Sequence, residues 1–259
     1  MNEMDNDQKG LSILVVSCDK YNDLWPVFFE MKKKNWSDCQ YRTYLGTNEI
    51  KAEINDVVSI CVGEDLSWAD NVKKMLDSIK EDYVLMLLED FFIDRKIDNR
   101  EINNSLEFVK SKDIDCMRLE PLEPPLFVMN HGLRAGRLNP KAPYYVSTQP
   151  AIWKKNVLKE LLKEGYSAWD FEQKNSNELS ENAKVTYNFW GTKKYIFHHK
   201  NGVERGKYYL STVNILRKNG ITVDVEERGI LNDKNVILKL KLMKYKFKMF
   251  VKRILAEFM

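Results

Sequence analysis

The chain carries neither GxGxxG nor GxxxxGK[ST], the glycine-rich turns that cradle dinucleotides and nucleoside triphosphates. That disfavours a dinucleotide cofactor and a P-loop ATPase. Cys18, Cys39, Cys61 and Cys116 show neither CxxC nor any metal-finger spacing. Three of them lie in or beside apolar runs, so buried thiols in a reducing cytoplasm are expected rather than a disulfide framework or a zinc site. Nowhere do eighteen apolar residues run together, and the opening MNEMDNDQKG is polar and acidic where a signal peptide would be basic and then apolar. A chain that is neither secreted nor membrane-spanning is the expectation. With a net charge of only +3, overall charge gives no reason to expect a nucleic-acid partner.

What remains is a soluble globular composition, 44% apolar over 259 residues, enough for one large or two small domains. The organising stretch is YVLMLL at 83–88, which runs without polar interruption into Glu89 and Asp90. An apolar run of that length without alternation reads as a strand buried on both faces. Carboxylates at the end of such a strand lie where α/β sheets gather ligands. Upstream, LSILVVS at 11–17 reads as a first buried strand, CDKYND as the loop leaving it, and 25–34 as a helix with Asp23 as its N-cap. Strands at 41–45 and 57–62 and a helix at 69–80 continue the alternation. The predicted fold is α/β, with a mainly parallel, Rossmann-like sheet and flanking helices.

Beyond Asp94 the pattern predicts a helix at 100–111, a strand at 115–119, and an irregular proline-rich stretch at 120–143. A strand at 144–148, a helix at 152–164 closed by Gly165, a further helix entered near Glu172, and a strand and turn at 193–206 follow. The domain reading is a polar tail at 1–9, one domain at 10–229, and a basic segment at 230–259. In that last segment Val236, Leu240, Met243, Phe247, Phe250, Ile254 and Phe258 recur at helical steps among lysines. It reads as an amphipathic helix lying on an anionic membrane or packing on the domain, and its LKLKL alternation also permits a strand.

Four features converge: a strand leaving through SCD, a buried strand ending in Glu89 and Asp90, an acid pair in WDFE, and the neighbouring His198 and His199. Together they resemble the GT-A glycosyltransferases, particularly the nucleotide-sugar-dependent enzymes of bacterial capsule and O-antigen synthesis, over residues 11–210. The resemblance implies that Asp19 meets the nucleobase, or else caps the next helix, and that Asn71 and Trp68 in SWADNVKK lie near the sugar and diphosphate. The family's Asp-x-Asp metal motif is incomplete here, because Leu88-Glu89-Asp90 supplies its last acid only. If Mg²⁺ or Mn²⁺ binds, Asp90 is the implied ligand, with Glu89 assisting or contacting the sugar, and His198 or His199 a late addition.

In that family an acid in the position of WDFE deprotonates the acceptor hydroxyl, which points to Glu172, with Asp170 as alternate. Inversion is the implied outcome, and retention stays open. Gln149, Trp153 and Trp169 are candidates for acceptor binding, since sugars offer apolar faces edged by hydroxyls, although each Trp also has a core reading. His131 and Arg134 could meet phosphate or lie on a surface loop. The implied partners are a nucleotide sugar, UDP-linked first, and a glycan or polyprenyl-diphosphate-linked acceptor, with peripheral contact to the inner face of the cytoplasmic membrane. A sugar-nucleotide nucleotidyltransferase and a non-catalytic sugar-binding protein are the alternatives.

Overall fold

The computed structural model describes residues 10–182 and 187–231. Its first half is built from β1 (Leu11–Val16), α1 (Leu24–Asn35), β2 (Arg42–Thr47), β3 (Val57–Cys61), α2 (Trp68–Asp77), β4 (Tyr83–Leu88), β5 (Phe91–Ile93) and α3 (Asn99–Ser111). Then come β6 (Cys116–Arg118), β7 (Ala135–Arg137), β8 (Ala151–Lys154), α4 (Lys155–Leu161), α5 (Ala168–Glu181) and β9 (Phe189–Thr192). Short elements close the described chain: β10 (His199–Asn201), β11 (Val203–Glu204), β12 (Lys207–Tyr209), α6 (Leu210–Lys218), α7 (Val225–Arg228) and β13 (Ile230–Leu231). The predicted basic helix, with its apolar positions from Val236 to Phe258, and the polar N-terminal tail at 1–9 fall outside the described residues.

Eight strands form the central sheet in the order β3-β2-β1-β4-β8-β6-β9-β7, with β3, β2, β1 and β4 mutually parallel. This is the α/β class read from the sequence. β1 and β4 are apolar at nearly every position because both sheet faces are covered. Ile13, Val15, Leu85 and Leu87 pack into the core that includes α1 and α3, and Leu14, Val16, Val84 and Met86 into the one that includes α2, α4 and α5. Gly46 on β2 is required by close approach, since a Cβ there would sit 2.1 Å from the Met75 sulfur of α2. No helix of the described residues is long and apolar enough to cross a membrane.

Several expectations are corrected. Residues 144–148 form no strand; the carbonyls of Tyr144 and Tyr145 go to the Arg118 guanidinium, and the Val146 N–H donates to Ser176 Oγ. The predicted helix at 152–164 begins only at Lys155, because Ala151–Lys154 is β8, antiparallel to both β4 and β6. Residues 193–198 form no strand. All four cysteines are free, but of them Cys116 alone is buried; Cys18 and Cys39 are half-buried and Cys61 is exposed.

Candidate active site

A cleft of about 890 Å³ opens at the carboxyl ends of β1 and β4. Ser17 and Cys18 continue β1 into it, and Glu89 and Asp90 continue β4. Trp68 and Asn71 of α2, Thr148 and Gln149, and Trp169 and Glu172 of α5 also line it, while the β11–β12 hairpin adds Glu204, Arg205, Gly206 and Tyr209. The acids at 89, 90 and 172 therefore line one cavity.

Both helix entries to the cleft are fixed by the same S-x-x-D chemistry. Ser67 accepts the Asp70 N–H ahead of α2, and Ser167 forms a full capping box with Asp170 ahead of α5. The entries are also tied to each other: the Ala69 N–H donates to the Tyr166 carbonyl at 3.0 Å and the Gly165 N–H to the Asp70 carboxylate at 3.1 Å. This linkage joins the helix starts that carry Trp68 and Trp169, both of which line the cleft. Asn71 is buried and donates to the Asp65 carboxylate at 2.6 Å.

Glu172 lies in the second turn of α5, not at its start. Its Oε1 accepts three bonds, from the Thr148 N–H and the Thr148 hydroxyl, each at 2.8 Å, and from the Ser147 hydroxyl at 3.2 Å. One oxygen is thus pinned by the segment leading to β8, and Oε2 takes part in none of these bonds.

The β4 acids are held differently. Gly202 brings the β10–β11 turn against them: its N–H donates to the Asp90 carbonyl at 2.7 Å, and a Cβ there would meet the Phe92 ring at 2.5 Å. The Val203 N–H reaches Asp90 Oδ2 at 3.3 Å. Desolvation pushes Asp90 up to about 6 despite that donor, and desolvation together with the Asp90 charge pushes the half-buried Glu89 up to about 8. Neither carboxylate has an ion pair among the described residues. Of the described residues lining the cleft, five are acids (Asp65, Glu89, Asp90, Glu172, Glu204) and Arg205 alone is a Lys or Arg.

No protein-family model matches the sequence, and no curated protein matches it. In three dimensions the chain is similar to the mannosyltransferase PcManGT from Pyrobaculum calidifontis, solved with GDP-Man and Mn²⁺, with a TM-score of 0.49, 11% identity, and coverage of 76% of this chain and 58% of that one. It is also similar to S. aureus TarS 1-349, with a TM-score of 0.48, 10% identity, and coverage of 73% and 60%. A cytidylyltransferase from Leptospira borgpetersenii matches with a TM-score of 0.43, 11% identity, and coverage of 82% and 95%. Against another S. aureus TarS structure the match spans just 37% of that chain. The neighbours thus include a mannosyltransferase and a cytidylyltransferase. At these identities and TM-scores the likeness carries nothing about substrate.

Several residues singled out in the sequence lie elsewhere. Asp19 does not line the cleft; its carboxylate closes the loop after β2 by accepting the N–H groups of Asn48, Glu49 and Ile50 at 2.9–3.1 Å. Trp153 is 1% exposed, packed edge-on against Phe171 and Phe189, and cannot touch an acceptor. Asp170 serves the capping box and pairs with Lys174, which with Ser167 holds it down to about 2, and it does not line the cleft. His198 stacks on Tyr195 and lies off the cleft. His199 is buried against Phe91, with Nδ1 3.6 Å from Glu120 and Nε2 3.1 Å from Asn201. His131 and Arg134 also lie off the cleft.

Sequence reasoning passed over Tyr21, Asp65, Arg205 and Tyr209. The signal for Arg205 was the Arg-Gly pair: Arg205 and Gly206 both have positive φ, 52° and 77°, as a two-residue hairpin turn demands.

Among the described residues no three His, Cys, Asp or Glu side chains gather to hold a metal. Mg²⁺ in a diphosphate site, however, is commonly held by one or two carboxylates, with phosphate oxygens and water completing the shell. Glu89 and Asp90, desolvated and without a paired cation among the described residues, fit that role; His198 does not.

Proposed function

We propose that the chain is a glycosyltransferase that moves a sugar from a nucleotide-sugar donor to a hydroxyl of a growing surface glycan, with inversion. The observation that carries this reading is the single cleft lined by Glu89, Asp90 and Glu172 together. The donor's diphosphate lies toward Glu89, Asp90 and Arg205. A diphosphate in a cleft with five acids and one guanidinium needs added positive charge, and bound Mg²⁺ or Mn²⁺ would supply it, neutralising the leaving group. Asp90 and Glu89 would hold that ion.

Glu172 acts as the general base. With Oε1 fixed by Thr148 and Ser147, Oε2 takes the acceptor's hydroxyl proton as the hydroxyl oxygen bonds to the anomeric carbon. The bond from that carbon to the diphosphate oxygen breaks, and the nucleoside diphosphate leaves with the electron pair. Trp169, 66% exposed at the cleft wall, offers an aromatic face to an acceptor pyranose, and Gln149 a polar edge. A polyprenyl-diphosphate-linked glycan at the cytoplasmic membrane surface is the acceptor class we assign, and a UDP-sugar is the first donor to test. The segment after β1, SCDKYND, lacks the glycine-rich basic loop usual in nucleotidyltransferases, which makes nucleotidyl transfer the weaker reading.

Thermal unfolding with UDP-, GDP-, CMP- and dTDP-sugars, with and without Mn²⁺, tests the donor site. A donor at a hundred times its dissociation constant adds about 2.7 kcal/mol of stability. Glu172→Gln should keep that shift while acceptor-dependent nucleotide release falls about 10²–10⁴-fold. A flat response across the panel, or a glutamine variant with near-wild-type turnover, would refute the reading.

A further inference from the structure

The chain between β6 and β8 makes one long excursion whose two stems are tied at a single buried cation. Arg118, 3% exposed, donates to the carbonyl of Leu122 at 2.5 Å on the outgoing stem, and to those of Tyr144 and Tyr145 at 2.8 and 3.2 Å on the returning one. Beyond this knot the composition changes. From Pro124 to Ala142 there is no Asp or Glu, while Arg134, Arg137 and Lys141 are all exposed.

The same excursion displays large apolar side chains to solvent: Phe127 is 75% and Met129 61% exposed. Tyr195, 54% exposed, belongs to the adjoining segment, where Lys193 donates from Nζ to the Leu126 carbonyl at 2.6 Å and from its N–H to the Arg134 carbonyl at 2.9 Å. The backbone beneath is well tied. Met129 and Asn130 both donate to the Ala135 carbonyl, at 2.8 and 2.9 Å, and Gly136 lets the Phe127 carbonyl pass where a Cβ would lie 1.9 Å from it. Phe127 and Met129 are thus presented outward by an ordered turn, at the β7 end of the sheet.

We propose that this tip is a docking surface for an anionic lipid bilayer, with Phe127, Met129 and Tyr195 entering the headgroup boundary and Arg134, Arg137 and Lys141 meeting lipid phosphates. The charge pattern selects this occupant: exposed apolar side chains accompanied by cations, in a segment that itself carries no acid, complement an anionic interface, while of the α3 acids Glu101 and Glu107 that share a pocket with Asn130, Gly132 and Leu133, Glu101 is paired with Lys194. A consequence for the cleft rests on the proposed glycosyl transfer, although the docking itself does not. The returning stem runs from Tyr145 into Ser147 and Thr148, the residues that hold Glu172, so the tip and the groups that fix the proposed base belong to one continuous stretch of chain.

The test is sedimentation of the full chain, without nucleotide sugar, on vesicles of phosphatidylcholine with about a quarter phosphatidylglycerol, and on phosphatidylcholine alone. Phe127→Ser with Met129→Ser should weaken partitioning about tenfold or more on the anionic vesicles. Arg134→Glu with Arg137→Glu should reduce the preference for them at least about threefold below that of the wild type, above the background that the C-terminal segment gives every variant. Ile50→Ser with Val58→Ser removes apolar residues of 42% and 41% exposure near the opposite sheet edge and should change nothing. The basic C-terminal segment is present in every variant and contributes a common background. Wild-type protein that stays in the supernatant, or a double-serine variant that binds within about twofold of wild type, overturns the proposal. So does lipid-independent self-association that the serine pair abolishes, which would make the tip a contact between copies. Donor binding is read separately by thermal shift without lipid, so either conclusion can fail alone.

Discussion

Glu89→Gln measures what the β4 acid pair costs the fold. Burial and the neighbouring Asp90 charge push Glu89 from 4.5 up to about 8. A carboxyl raised in the folded state keeps its proton there where the unfolded chain has already lost it. Stability therefore falls as pH rises from about 4.5 to about 8, and the deficit is complete above that window. At about 1.4 kcal/mol per unit the full shift sets a ceiling near 5 kcal/mol. Partial access of Glu89 to cleft water and its sharing of protons with Asp90 bring the expected cost to about 2–4 kcal/mol. For a chain of this size that corresponds to roughly 5–10 °C in Tm. Glu89→Gln should accordingly match wild type near pH 5 and exceed it by that margin at about pH 8.5. Mn²⁺ with UDP should raise the wild-type Tm at the higher pH and leave the variant much less affected, because the metal's partner is gone. A glutamine variant with no stability gain at high pH, or with the same gain at both, would show that Glu89 carries no such electrostatic cost.

Two further substitutions separate wall from core. Trp153→Ala empties a buried site and should destabilise by about 3–5 kcal/mol, whereas Trp169→Ala should leave Tm nearly unchanged and raise the acceptor KM; the reverse outcome would exchange their roles. Asp170→Ala should lower Tm by loosening the start of α5, with kcat unchanged within about twofold once folded, and a large kcat loss would reinstate Asp170 as the base. Because the Asp170 pKa is depressed to about 2, its contribution to stability is present above the ordinary carboxylate range and fades as pH falls through 4 toward 2.

The parallel half of the sheet was legible because β1 and β4 are apolar on both faces, a pattern that survives whatever packs on them. The acids closing β4 could be placed at the cleft for the same reason: a strand's end is a local property. The local pattern places Glu172 at a helix start that the structure moves four residues upstream, and the local sequence does not contain what holds it, the donors of Ser147 and Thr148, which lie 25 and 24 residues away. β8 was misread because Ala151–Lys154 is a strand only through its ladders with β4 and β6. Trp153 and Trp169 look alike as letters, yet one is sealed between aromatic rings and the other faces the cleft.

The sequence by itself determined which segments had to be buried, where the acid-bearing ends of the strands fell, and that no glycine-rich phosphate loop was present, since these follow from local pattern and backbone chemistry. Only the tertiary structure decided which acids share a cavity, that Asp19 and Asp170 are already committed to backbone groups and neighbouring side chains, and that Phe127 and Met129 stay exposed. Those outcomes depend on which distant groups supply or withhold a hydrogen bond, a charge or a covering surface.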